Sequence, residues 1–221
     1  MSSWGVIFDW DGVIVDSSRL HEKSWEILSQ ELDLPLPTGH FKQGFGMKND
    51  YIIPTILKWA SEPNQIKTLA YRKELLYREL AHKEPIELLP GVRTLLETLH
   101  QNKIPKTIGS STCLANIKVV LELTGIASYF DTIVSAEEVT HGKPHPEVFL
   151  KAATHLDLPP NRCIVIEDSH VGLQAAKAAG MFALGVTTTH PRENLKEADQ
   201  IVNNLTEVSL EQLQTWIKSG L

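Results

Sequence analysis

Short apolar runs and amphipathic stretches alternate along most of this chain. Val6-Ile7-Phe8 is a continuous apolar run closed by Asp9-Trp10-Asp11-Gly12. That is the pattern of a strand buried on both faces and ended by a turn. Comparable runs recur at Lys106-Thr107-Ile108, Thr132-Ile133-Val134, Cys163-Ile164-Val165-Ile166 and Phe182-Ala183-Leu184-Gly185. Between them lie Val92–Gln101, Leu114–Leu123, Glu147–Leu156 and Val171–Ala179, whose apolar residues return with helical spacing. Such stretches predict helices with one buried face. Gly125 and Gly180 stand where helix-ending glycines belong. Strands alternating with helices predict an α/β fold with a mostly parallel sheet.

The alternation stops between Asp16 and about Glu87. His21–Leu32, Asp50–Trp59 and Pro63–His82 read as helices there, with Pro35, Pro37, Thr38 and Gly39 as punctuation. The expectation is an all-helical insertion over 17–87 within a core made of 1–16 and 88–221. Val15–Ser17 and Pro85–Pro90 would be its hinges. The competing picture, one irregular crossover, needs a structureless loop far beyond the usual ~12–15 residues.

Composition narrows the function classes. The 221 residues are 42% hydrophobic, with 21 Lys+Arg against 27 Asp+Glu and a net charge of −6. An acidic balance argues against a nucleic-acid groove or a polybasic membrane surface. No apolar run approaches the ~20 residues that span a bilayer. Cys113 and Cys163 lie far apart, without the spacing of a thiolate metal site or a disulfide framework. With no leader-like start, these features predict a soluble, cytoplasmic protein.

Candidate chemistry gathers where apolar runs end. Asp9 and Asp11 are two residues apart, so both side chains leave the strand on one side. A solvated turn would use the same residues. Glu167-Asp168 repeats the pattern after Ile164-Val165-Ile166 and precedes a helix capped by Ser169. Four carboxylates delivered together would repel one another unless a cation neutralised them. All-oxygen ligands point to Mg²⁺. Ser110, with Ser111 and Thr112, follows another strand at a helix start, a place suited to phosphate or carboxylate and equally to an ordinary cap. Lys143 sits among prolines in His141-Gly142-Lys143-Pro144-His145-Pro146 and is expected to meet a fixed anion. His141 and His145 are not expected to share a metal, because the prolines interrupt any helix that would align them. Gly44-Phe45-Gly46 reads as a turn, and Cys113 as an inert thiol.

In order, Asp9-x-Asp11-Gly12-Val13, Ser110, Gly142-Lys143-Pro144-x-Pro146 and Glu167-Asp168-Ser169-x-x-Gly172 resemble the four motifs of the haloacid dehalogenase superfamily. Within it the chain is most similar to the β-phosphoglucomutase-like phosphatases. The resemblance implies a three-layer, Rossmann-like core with an inserted helical cap. It implies that Asp9 is a nucleophile forming an aspartyl-phosphate and Asp11 a general acid and base. Ser110 and Lys143 would hold the phosphoryl group. Mg²⁺ would be held by Asp9, Asp168, the carbonyl of Asp11 and Glu167, directly or through water. His21 and Lys73 match cap positions that face the substrate. Met47 stands where the mutases carry an arginine for a second phosphate, with Lys48 beside it. Cys113-Leu114 replaces their Lys-Asn. The expectation is therefore a monomeric phosphatase of a small phosphorylated metabolite, a sugar phosphate among the candidates. A sugar phosphomutase is the second reading, and a non-catalytic binding protein the third.

Overall fold

The structure, a computed structural model, describes residues 3–44 and 47–219. Strands β1 (Gly5–Phe8), β2 (Lys106–Gly109), β3 (Ile133–Val134), β4 (Cys163–Glu167), β5 (Phe182–Val186) and β6 (Gln200–Val202) form one parallel sheet. Their spatial order is β3-β2-β1-β4-β5-β6. β1 is central: Phe8 stands level with Ile108 on one side and Ile166 on the other. The residues after those positions therefore leave the sheet at one edge. This shared exit is the reason the motifs meet.

Alternation along β1 supplies both layers of the core. Val6 and Phe8 pack with Leu96 and Leu99 of α5 (Val92–Gln101), Ile117 of α6 (Leu114–Thr124), and Leu213 and Ile217 of α9 (Leu210–Ser219). Ile7 faces the other way, onto Phe149 of α7 (Glu147–His155) and Leu173 of α8 (His170–Ala178). Each such side chain removed fully from water stabilises the fold by roughly 1.5–3 kcal/mol.

The segment between β1 and β2 carries α1 (Ser18–Leu32), α2 (His40–Gly44), α3 (Asn49–Tyr51) and α4 (Pro63–Lys83), with no strand among its described residues. Trp25, Leu28, Ile53 and Leu76 give it a core of its own. Tyr77, Leu80 and Ala81 of α4 pack instead with the sheet-side cluster. Val15 bridges to both Asp11 and Leu88, so the outgoing and returning chain run side by side.

The expected helix at Asp50–Trp59 differs. Pro54 has no N–H to donate, and α3 gives way to wider π-helical turns over Ile52–Leu57, ended by Lys58 at φ 56°. Gly44 closes α2, whereas Phe45 and Gly46 lie outside the described residues, so the turn expected there stands beyond this description. β6 and α9 extend the fold past the last predicted strand. Among the described residues, no helix is long and apolar enough to cross a membrane.

Candidate active site

The four motifs converge at the carboxyl edge of the sheet, the usual place for ligands in open α/β folds. Asp9 follows β1, and its N–H donates to the Ile166 carbonyl at 3.0 Å. Glu167 ends β4, and Asp168 stands beside it. Carboxylate oxygens of Asp9, Glu167 and Asp168 lie within 4.8 Å of one another, and all three residues are buried. Lys143 reaches the same point, donating to Asp9 Oδ1 at 2.7 Å and Glu167 Oε1 at 2.5 Å. Its side chain is 3% exposed. Lysine thus meets the fixed anions expected of it.

Two glycines let the acids approach. Gly12 has φ +78°, and a Cβ there would stand 2.0 Å from Asp168 Oδ2. A Cβ on Gly172 would stand 1.8 Å from Glu167 Oε1. Glu167 Oε2 is further held by the N–H of Ser169 at 2.7 Å and its hydroxyl at 2.9 Å. Ser169 caps α8 as predicted, its Oγ accepting from the Gly172 N–H.

Asp11 corrects the expectation of a four-carboxylate cluster. Its carboxylate lies apart from the other three, accepting hydrogen bonds from Ser17 and Thr112. His21 Nε2 stands 3.6 Å from its Oδ1. The turn after β1 separates side chains that an extended strand would have kept together: Gly12 N–H donates to the Val15 carbonyl at 2.8 Å, and Ile14 N–H to that of Trp10 at 2.9 Å.

The electrostatics of the two acids diverge accordingly. Burial, with Glu167 and Asp11 adding repulsion, raises Asp9 to about 7 despite Lys143. Burial and the neighbouring Glu167 and Asp9 also raise Asp168 well above the usual carboxylate range. Lys143 moves upward because Asp9 and Glu167 outweigh its desolvation. For Asp11, burial is outweighed by His21, Ser17 and Thr112, which hold it near 2. Adjacent carboxylates driven in opposite directions are suited to different tasks.

Ser110 is buried, its N–H donating to the Val134 carbonyl and its Oγ accepting from the Thr112 N–H. Ser111 lines the cavity beside it. The amide of Leu114 at the start of α6 is taken by the Glu137 carboxylate at 3.1 Å. Of the expected anion cradle, the serines and not that helix amide face the cavity. From the helical segment, Lys73 is 2% exposed and meets His21 Nδ1 at 2.6 Å. His21 in turn stacks on Tyr77 at 4.2 Å. Both cap candidates therefore join the Asp11 side of the site. The cavity enclosed by these groups measures about 280 Å³, with Trp25, Met47 and Lys48 on its far wall.

His141 and His145 are also placed differently. α7 begins only at Glu147, yet the turn closed by His145 N–H and the Gly142 carbonyl brings the rings to 4.6 Å. Together with Glu147 their ligand atoms lie within 4.8 Å. A turn brings together what no helix could align. Thr189, whose hydroxyl donates to Asp168, was not singled out in the sequence, and Ser17 and Thr112, read there as a hinge end and as part of an anion site, were not expected to donate to Asp11. Lone hydroxyls in loops carry no pattern that distinguishes them from caps.

The family model described as haloacid dehalogenase-like hydrolase matches residues 6–186. The chain belongs to that family. It is 35% identical over 208 residues to the chloroplastic 5-amino-6-(5-phospho-D-ribitylamino)uracil phosphatase of Arabidopsis thaliana, covering 93% of this chain and 56% of that protein. It is 33% identical to the β-phosphoglucomutase of Bacillus subtilis, covering 94% of this chain and 92% of that one. Among solved structures, the β-phosphoglucomutase of Clostridium difficile superposes with a TM-score of 0.86 at 30% identity, covering 99% and 98% of the two chains. Relatives of this hydrolase thus include a phosphatase of a phosphorylated metabolite and sugar phosphomutases.

Proposed function

We propose that this chain is a Mg²⁺-dependent phosphatase of a small phosphorylated metabolite, with sugar and polyol phosphates as the favoured class. The observation that carries the reading is the contrast between Asp9, crowded by acids beside one lysine, and Asp11, isolated among hydroxyls and His21. The buried donor set fits a hard dication: it offers only carboxylate oxygens, and three carboxylates face one ammonium, so with all three ionised around a bound ion Lys143 alone would not balance them. Asp9, Asp168 and, directly or through water, Glu167 would hold it, with the Asp11 carbonyl. When bound, the ion supplies the positive charge that admits an anionic substrate beside Asp9.

In this reading Asp9 attacks phosphorus, its oxygen forming the new P–O bond as the bond to the leaving oxygen breaks. Asp11 gives that oxygen a proton. It is ionised in the ligand-free site. The arriving phosphate, a like charge, raises its proton affinity, so Asp11 takes up a proton from solvent as substrate binds and passes that proton to the leaving oxygen. Asp11 then takes a proton from water, whose oxygen attacks the phosphorus and frees Asp9 and phosphate. Ser110, Ser111 and Lys143 hold the equatorial oxygens throughout. The segment 17–87 acts as a cap over the site, with His21 and Lys73 facing the substrate. A cytoplasmic location accords with two unbridged thiols.

A phosphate-release screen over phosphorylated metabolites, with Mg²⁺ and with chelator, tests the proposal. Metal-dependent release from sugar or polyol monophosphates supports it, and no release across the panel overturns it. The mutase relatives favour a second reading, which Met47 and Cys113 disfavour because neither offers a positively charged donor to a second phosphate. Conversion of β-glucose 1-phosphate to glucose 6-phosphate, primed with bisphosphate and faster than hydrolysis, would reverse this order.

A further inference from the structure

Asn116 is a fully buried amide in the first turns of α6, on the core side of the seam with α4. Both ends of its side chain are used. Its Oδ1 accepts from Arg78 Nη1 at 2.8 Å, and its Nδ2 donates to Glu74 Oε2. The other Glu74 oxygen, Oε1, serves the helical segment itself, accepting from Asn49 at 2.7 Å and from Lys73 at 3.0 Å. Lys73 meets His21, and His21 faces Asp11. A continuous polar chain therefore runs from a core helix, across the seam, to the carboxylate that moves the proton.

Docking alone does not call for this arrangement. Tyr77, Leu80 and Ala81 already bury apolar surface against the core, and a buried polar pair adds little net stability over such contacts. Its cost appears when one partner is missing, because the other is then left buried and unsatisfied. Glu74 is ionised in this setting: its burial is outweighed by Lys73, His21 and Asn49, which hold it near 2. The carboxylate is thus a fixed charge with one oxygen committed to the core and one to the Lys73–His21 pair.

We propose that Glu74 and Asn116 are positioning residues that set the place of α4 on the core and, through Lys73 and His21, aim Asp11 at the leaving oxygen. The proposal rests on the phosphatase reading, in which Asp11 supplies the leaving-group proton. It makes a prediction about leaving groups. An alkyl phosphate needs that proton, whereas p-nitrophenyl phosphate expels a stable phenolate without it. The quantity to read is kcat/KM, which covers the steps up to loss of the leaving group.

The test is a polarity swap. Asn116→Asp sets two carboxylates face to face, and Glu74→Gln sets two amide donors face to face. In the double variant the new glutamine keeps its oxygen for Asn49 and Lys73 and donates its amide to the new aspartate, whose other oxygen still accepts from Arg78. Each single change is expected to lower kcat/KM on an alkyl phosphate by about ten- to a hundredfold, the range for a displaced general acid. On p-nitrophenyl phosphate the loss should stay below about threefold, and the double variant should recover to within about threefold of the parent on both. Asn116→Ala, which adds no charge, is read on the same two substrates if either single variant melts early. Equal losses on both substrates, unchanged singles, or a double variant no better than the singles would overturn the proposal. Parent protein that releases phosphate from neither substrate overturns the phosphatase reading itself, before any variant is compared.

Discussion

Replacing Lys143 by methionine separates the two roles assigned to that lysine. Methionine keeps an unbranched apolar stem, so contact with the Phe149 ring, over which Nζ stands at 5.0 Å, is largely preserved. The ammonium is lost from between Asp9 Oδ1 at 2.7 Å and Glu167 Oε1 at 2.5 Å, in a pocket where the lysine side chain is 3% exposed. Removing one partner of a buried ion pair costs about 3–5 kcal/mol, because a charge is left without compensation. Here three carboxylates lose their one neighbouring ammonium. Asp9, already raised to about 7, can absorb part of the cost by binding a proton. Urea unfolding near neutral pH in chelator should therefore show a loss of about 2–4 kcal/mol. Mg²⁺ should recover most of it, since the ion binds the same carboxylates. Activity should not return: without Lys143 the transferring oxygens lose a fixed positive donor, typically worth about 10²–10³ in rate. A variant as stable as the parent in chelator, or one whose phosphate release is restored by Mg²⁺, would refute this reasoning.

Three further outcomes follow from the same geometry. Asp9 moves from 3.8 to about 7 on folding, so the folded state holds its proton more tightly and that stability is complete at low pH. It is lost as pH rises through about 7. The rise in melting temperature on adding Mg²⁺ should accordingly be small in acid and reach a plateau above neutrality, and a pH-independent rise would contradict the cluster. Gly12→Ala places a methyl 2.0 Å from Asp168 Oδ2 at φ +78°; Mg²⁺ affinity by calorimetry should fall at least about tenfold, the usual scale for disturbing a ligand's support. Cys113, pushed up to about 11 mainly by burial, should resist alkylation at neutral pH in the native protein and react once unfolded; rapid native labelling would show that burial does not control it.

Most of the sheet was legible because buried parallel strands are written as short apolar runs. β6 was not: Gln200-Ile201-Val202 is brief and begins with an exposed polar residue at the sheet edge. Nor was α9, although Leu213, Trp216 and Ile217 carry helical spacing. The acids and Ser110 were legible from their places at strand ends, and Lys143 from its place among prolines in the loop before α7. The separation of Asp11 from Asp9 was not, because it depends on the backbone path of the turn over 9–15 rather than on strand alternation. The meeting of His141 with His145 has the same origin, a turn whose path residue types do not specify. Glu74 and Asn116 were invisible for another reason: one more acid on a charged helix and one asparagine in an amphipathic one acquire meaning only when the two helices pack.

The central claim is that Asp9 becomes covalently phosphorylated. Rapid acid quench of the protein during turnover of a reactive substrate, followed by peptide mass spectrometry, measures this directly. The account predicts one phosphoryl group on the peptide carrying Asp9, present with Mg²⁺, lost in chelator and absent from Asp9→Asn. Phosphate release without any phosphorylated peptide, or with the phosphoryl group on another residue, would contradict it.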